Sequence, residues 1–480
     1  MEQKSIKKNF AYNFLLTIAN MLFPLITAPY LSEILGASGI GRVNYATAIV
    51  SWFILVAVFG IPRFAVREIA KSRDDKEQMS SLFWNLMFIQ GVLTIMLLGV
   101  YIVTIYSLPQ FREELSLHLM MALMLLFNIL NIDWFYQGIE EYGYIAVRNI
   151  TVKCLSLLTI FLIINSPEDY LLLALINIFM VGINNVVNYI HSFKYISKKQ
   201  GKLIPFYYLK QIRIFFYISI VVALYTQSDL VLLGMVDQTD LAFYVRSRTI
   251  LNVGLALTTA LITVISPRAA YLTKNDRDSY KALVQKSINY IYLLGIPISV
   301  GILLFAEQAM YVLGGSEFAE ASLSLQIMAP LSLIITLGSW VSSQILIPNG
   351  LEKISFRIQC VAVVISLSLN FILIPRFSFI GATITWLAVE TFLFIMKAIY
   401  AKLKCPDIKI TYVSSSLIKF LISTLLMILP LLMVEKFIDA EWLQLVFAGI
   451  VGVGVYFSAL IILREKHMIF MLNEVRSKFS

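Results

Sequence analysis

The sequence predicts an all-α integral membrane protein with about fourteen transmembrane helices and both termini in the cytoplasm. Three observations carry that expectation. Of 480 residues, 59% are hydrophobic and only 14% are charged, with mean hydropathy +0.81. Soluble domains run roughly 45–50% apolar and about 25% charged. Apolar runs of roughly the 20 residues that a bilayer requires recur along the whole chain. When those runs are threaded through a membrane, all but six of the 38 Lys and Arg fall on one side, as the positive-inside rule demands of a correct topology.

The first run, 10–32, follows a basic start at Lys4, Lys7 and Lys8. It is too long for a signal-peptide core and has no small-x-small cleavage site, so it reads as the first span. Further spans are expected at 43–62, 81–106, 117–138, 145–165, 170–191, 214–236, 241–266, 287–306, 323–347, 354–375, 380–400, 415–434 and 443–463. The least definite turns are Gly138–Tyr144, Pro348–Lys353 and Pro375–Phe379. The six basic residues on the outer side are Arg42, Arg112, Arg246, Arg248, Arg376 and Lys436. The net charge of +9 is thus an orientation signal. A nucleic-acid footprint would gather on one soluble face, so no nucleic-acid partner is expected.

Several functions are excluded. The longest outer loop, Glu307–Ser322, is too short for the catalytic domain of a membrane glycosyltransferase or polymerase. No GxxxxGK[ST] loop is present to bind nucleotide. Cys154, Cys360 and Cys405 and His118, His191 and His467 are scattered outside any ligand spacing. They read as free thiols and interfacial imidazoles rather than a metal centre or disulfide framework. What remains is a carrier without a cofactor, driven by an H+ or Na+ gradient or by membrane potential.

An internal repeat gives such carriers parallel halves. Leu35-Gly36, Tyr45 and Ile61-Pro62-Arg63 recur as Leu233-Gly234, Tyr244 and Ser266-Pro267-Arg268, each copy running into a charged connector (Lys71–Gln78 and Lys274–Lys286). Six spans separate the copies. The expected organisation is a six-helix lobe over 1–200, a second over 201–404, and a final helix pair with its tail over 405–480.

Charged groups at membrane depth are expensive and usually face a cavity or a partner. Measured back from the Pro-Arg landmarks, the repeat sets Arg42 at the depth of Arg246 and Arg248, facing them across the two lobes. These guanidiniums either snorkel to the outer headgroups or line a cleft for an anion, whose phosphate geometry they match. Arg63, Arg148 and Lys153 would meet the same anion at the cytoplasmic entrance. Asp133, Asp229 and Glu390 are the carboxylates best placed for a coupling ion, or else they pair locally, Glu390 with Lys397. Pro24 and Pro29 predict a bend in the first span. Gly449, Gly452 and Gly454 predict close helix packing in the last.

The stretch Asp133-Trp134-Phe135-Tyr136-Gln137-Gly138-Ile139-Glu140, with Tyr144-Ile145 and Arg148-Asn149 after it, resembles the Wzx-type polysaccharide repeat-unit flippases (O-antigen and capsule) of the multidrug/oligosaccharidyl-lipid/polysaccharide exporter superfamily. The likeness continues through Gly201-Lys202, Asp229, Leu233-Gly234, Tyr244, Pro267-Arg268, Gln344 with Ile347-Pro348, Asn370 with Ile374-Pro375, and Gly381-Ala382. It implies a V-shaped pair of six-helix lobes enclosing a cationic cavity in the bacterial cytoplasmic membrane. It implies a transporter, not an enzyme, that carries polyprenyl-diphosphate-linked oligosaccharide to the outer leaflet. Membrane lipids, a polysaccharide polymerase and a chain-length regulator are the implied partners. A peptidoglycan lipid-precursor flippase and a cation-coupled drug exporter of the same superfamily are the alternatives. Acidic residues in the cavity would favour the drug exporter.

Overall fold

Within hydrocarbon every backbone amide must be satisfied by the chain itself, which permits helices and closed barrels only. The computed structural model describes residues 6–197 and 203–469, and no strand occurs among them. Lys4, the Gly201-Lys202 pair and the tail beyond 469 lie outside the described residues. Contacts divide the chain into two compact units, Met1–Ala242 and Phe243–Ser480.

The first unit holds α1 (Ile6–Val58), α2 (Ile61–Ser72), α3 (Lys76–Ser107), α4 (Leu115–Phe127), α5 (Asp133–Gly138), α6 (Tyr142–Ile163), α7 (Tyr170–Ser192) and α8 (Pro205–Val236). α8 packs on α1, α2 and α3. The unit boundary falls within α9 (Gln238–Asn275). The second unit continues with α10 (Arg277–Leu304), α11 (Ala306–Gly314), α12 (Ser322–Met328), α13 (Leu331–Trp340), α14 (Glu352–Lys404), α15 (Ser415–Phe437) and α16 (Glu441–Ile462). α15 and α16 pack on each other, with α10 and α11 behind them.

Among the described residues, 12 helices are long and apolar enough to cross a membrane. Two of these are each broken at a single residue. α1 turns at Gly36 (φ 65°, ψ 179°), a left-handed conformation that glycine adopts without penalty. α14 turns at Ser378 (φ 46°, ψ −127°), within the indefinite turn at Pro375–Phe379. The break at Gly36 falls in the turn between the spans expected at 10–32 and 43–62, while Pro24 and Pro29 both lie inside helix.

Other expectations need correcting. The span expected at 117–138 is found as Leu115–Gly138 but is interrupted: α4 stops at Phe127, a 3-10 turn covers Asn128–Leu130, and α5 begins at Asp133. Asn and Asp compete for backbone hydrogen bonds and favour such breaks. The outer loop at Glu307–Ser322 is mostly helical, as α11 and a 3-10 turn over Ser316–Ala321. The two Pro-Arg landmarks also differ. Pro62 opens α2 after a break at Gly60, whereas Pro267 lies inside α9. In the glycine cluster Gly452 packs against Met427 of α15, while among the described residues nothing lies within 4 Å of where a Cβ would stand on Gly449 or Gly454. His118 is buried against Phe111 and Tyr45 rather than interfacial.

Each unit has its own aromatic core. In the first unit Phe64, Phe83, Trp134, Phe135 and Ile212 interlock α2, α3, α5 and α8. In the second, Tyr280, Trp340, Phe420 and Tyr456 interlock α10, α13, α15 and α16. Lipid offers no hydrophobic drive between helices, so this packing and its hydrogen bonds hold each unit together. Tyr136 donates to Asn188 O at 2.6 Å, and Tyr456 to Leu293 O at 2.8 Å.

Candidate functional site

The break between α4 and α5 frees backbone carbonyls in the interior of the first unit, and α3 supplies their donor. Gln90 is fully buried, and its Nε2 donates to Asn128 O at 2.6 Å and to Asn131 O at 3.1 Å. Held open in this way, the segment turns Asn128 and Asn131 toward a cavity of about 460 Å3. The second half of α1 contributes Ser51, α7 contributes Asn185, and α8 contributes Ser219 and Gln227. Gly60 lines it too, in a left-handed conformation (φ 75°), and the turn there brings in Arg63. The lining is therefore one guanidinium, four side-chain amides and two hydroxyls, with Ile54, Leu55, Val58, Met124 and Val181 between them. Among the described residues, no carboxylate lines it.

Beside the cavity, α5, α6 and α7 form a polar cluster. Arg148 Nη2 donates to Asp133 Oδ1 at 3.0 Å and to Asn149 Oδ1 at 3.2 Å. Asn188 Nδ2 donates to the same Asp133 oxygen at 2.5 Å, and Asn184 Nδ2 to Asn149 Oδ1 at 2.9 Å. The guanidinium lies against the Tyr144 ring (5.7 Å), and Tyr144 stacks on His191 with ring centroids 4.0 Å apart. Two residues expected to serve different purposes, Arg148 for an anion and Asp133 for a coupling ion, are thus an ion pair.

The remaining candidates have contacts of their own. Arg42 pairs with Glu114 at 3.0 Å, and its guanidinium lies 5.1 Å from the centre of the Tyr170 ring. Lys153 sits over Phe23 at 4.5 Å. Asp229 is buried in α8, where its Oδ1 accepts from the Leu230 amide at 2.9 Å. In the second unit, Arg246 is 8% exposed and packs on Phe318. Arg248 lies on Trp386 at 4.6 Å and on Tyr244 at 5.5 Å. The charges acting on Glu390 are Lys397 and Arg248.

The composition-based reading missed the amides Gln90, Asn128, Asn131, Asn185 and Gln227. The signal was available: polar side chains in apolar helices are costly and face protein or a cavity. Asn184, Asn185 and Asn188 crowd one such helix.

The family model described as "Polysaccharide biosynthesis protein" matches residues 6–273, more than half of the chain. The chain belongs to that family. It is 25% identical over 392 residues to the "Putative O-antigen transporter" of Escherichia coli (strain K12), covering 80% of this chain and 94% of that protein. It is 23% identical over 397 residues to the "Capsular polysaccharide biosynthesis protein CapF" of Staphylococcus aureus, covering 79% and 94%. Its fold matches the structure titled "Lipid II flippase MurJ, inward closed conformation", with TM-score 0.74 and 15% identity over 95% of this chain and 98% of that one. This family member therefore has the fold of a multi-pass membrane transporter.

Proposed function

We propose that this protein is a flippase that moves polyprenyl-diphosphate-linked oligosaccharide repeat units from the inner to the outer leaflet of the bacterial cytoplasmic membrane, for surface polysaccharide. The observation that carries this reading is the cavity lining: among the described residues, one guanidinium beside four amides and two hydroxyls, and no carboxylate. Amides and hydroxyls donate and accept, as neutral sugar hydroxyls require. Arg63 supplies the fork that suits a phosphate. A cationic drug would want the opposite charge. The family and the names of the relatives point the same way.

In this reading the chain crosses the bilayer fourteen times, α1 and α14 each contributing two crossings, with both termini cytoplasmic. Two six-helix lobes and a C-terminal pair make up the carrier. The diphosphate carries roughly two negative charges, and moving it bare through hydrocarbon would be prohibitive. Arg63, Arg148 and Lys153 receive it, and Arg42, Arg246 and Arg248 hold it nearer the outer side. Asp133, Asp229 and Glu390 are the places where an H+ or Na+ gradient or the membrane potential enters. A polymerase and a chain-length regulator take up the product. No covalent chemistry is involved.

The test is flipping of a fluorescent prenyl-diphosphate oligosaccharide in proteoliposomes. Wild-type protein should move it, and Arg63→Gln should slow it while leaving the unfolding midpoint unchanged. If the wild-type protein moves a lipophilic cation and ignores the diphosphate, the reading is wrong.

A further inference from the structure

The Asp133–Arg148 pair is lopsided in a way that an ordinary structural ion pair is not. The Arg148 side chain is 5% exposed, whereas that of Asp133 is 41% exposed. Among the described residues only one guanidinium nitrogen, Nη2, is engaged, and the buried Nε and Nη1 have no hydrogen-bond partner. A guanidinium presents five N–H donors in a planar fork suited to bidentate recognition of carboxylate or phosphate. Asp133 meets it through a single oxygen, which it shares with Asn188. A strong anion receptor is thus enclosed by protein and held by a weak grip.

We infer that Asp133 is a resident counter-anion, which keeps Arg148 neutralised until a phosphate group of the substrate takes its place. This rests on the diphosphate reading above and adds how that site is controlled. A buried guanidinium stripped of its anion is severely destabilising, so an empty carrier must supply one of its own. Exchanging carboxylate for phosphate keeps the charge paired throughout, and the arriving group gains the fork edge that Asp133 leaves unused. Asp133 is the member able to withdraw, being the exposed one. The pair is also in the right place: the Asp133 amide lies 3.4 Å from Asn131 Oδ1, and Asn131 lines the cavity. Return of Asp133 to Arg148 then displaces the phosphate, which gives release without any group having to leave arginine bare.

The experiment uses the full chain in detergent micelles and measures binding of farnesyl diphosphate and of inorganic pyrophosphate by calorimetry. Asp133→Asn keeps the shape and the Asn188 contact but removes the competing charge. It should bind farnesyl diphosphate about tenfold tighter than wild type. Arg148→Gln should bind about tenfold more weakly, and the double variant should behave like Arg148→Gln, because the gain acts through the guanidinium. Arg148→Lys keeps the charge without the fork and should also lose affinity; equal binding by wild type and this variant overturns the inference even if Asp133→Asn does not fold. A gain with both ligands assigns the site to the diphosphate itself, and a gain with farnesyl diphosphate alone assigns it to the lipid-borne form; both support the exchange. If wild type binds and Asp133→Asn binds equally or less well, Asp133 is not the counter-anion and the flippase reading stands. If wild type binds neither ligand, both fall.

Discussion

Gln90 of α3 donates its side-chain amide to the main-chain carbonyl of Asn128 at 2.6 Å, and so closes from outside a hydrogen-bond ladder that α4 leaves open. The same Nε2 lies 3.1 Å from Asn131 O. An interior helix break is tolerated only where protein re-satisfies its backbone, so one amide licenses both the break and the cavity wall. Gln90→Leu should cost about 1–3 kcal/mol, because it leaves buried carbonyls without their donor. The cost reads as a lower unfolding midpoint in detergent, together with loss of flipping. An unchanged midpoint would show that the break at Asn128–Leu130 holds itself open.

Arg63 is the charged member of the cavity lining. Arg63→Lys keeps the charge but replaces a planar fork with a point donor, which is not conservative toward phosphate. Flipping should fall by about tenfold in Arg63→Gln and by less in Arg63→Lys. Both should unfold at the wild-type temperature, since Arg63 is exposed. Equal loss in the two variants would mean that the fork, not the charge, is what counts.

The helical class and the apolar rods were legible in composition and hydropathy, because the solvent imposes them. The breaks were less so. Gly36 and Gly60 turn the backbone through left-handed conformations that hydropathy averages over. The break at Asn128–Asn131 looks like continuous span, since Ile129, Leu130 and Ile132 keep its mean hydropathy high. Charges could be located along the chain but not paired. Asp133 and Arg148 are 15 residues apart and on different helices, so only the fold brings them to 3.0 Å. The Asp133–Glu140 stretch carried the family likeness, and within it the Trp134, Phe135 and Tyr136 rings are all in the core, which fixes Asp133 at its edge.

Gly60 gives a steric test. Its φ of 75° is left-handed, and a Cβ there would lie 2.5 Å from the Phe216 backbone nitrogen of α8. Both terms oppose any side chain, and the left-handed conformation alone costs roughly 1–2 kcal/mol. Gly60→Ala should therefore lower the unfolding midpoint and narrow the cavity. Gly99→Ala is the control, with nothing within 4 Å of the added methyl; helix propensity should leave it neutral or slightly stabilised. Similar behaviour of the two variants would contradict the close approach of α8 to Gly60.

Glu465, just beyond α16, gives a pH test outside the spans. Its carboxylate is fully buried and accepts from His467 Nδ1 at 2.9 Å, Ser416 Oγ at 2.7 Å and the Met468 amide at 2.9 Å. Burial pushes the carboxyl up, but the hydrogen bonds from His467, Ser416 and the Met468 amide outweigh it and hold the group below its ordinary value. A depressed folded value means that the unfolded chain takes up a proton first as pH falls. The stabilisation is therefore complete above the ordinary glutamate value of about 4.3 and is lost as pH drops through the folded value. Ser416 opens α15 and Met468 follows α16, so what weakens in acid is the fastening between the ends of the C-terminal helix pair. Glu465→Gln keeps the shape but loses the charge-assisted bonds. At pH 7 it should unfold below wild type by a few degrees, and the gap should close as the pH falls below about 4. A gap that persists unchanged down to pH 3 would mean that Glu465 holds the helix pair by shape rather than by charge.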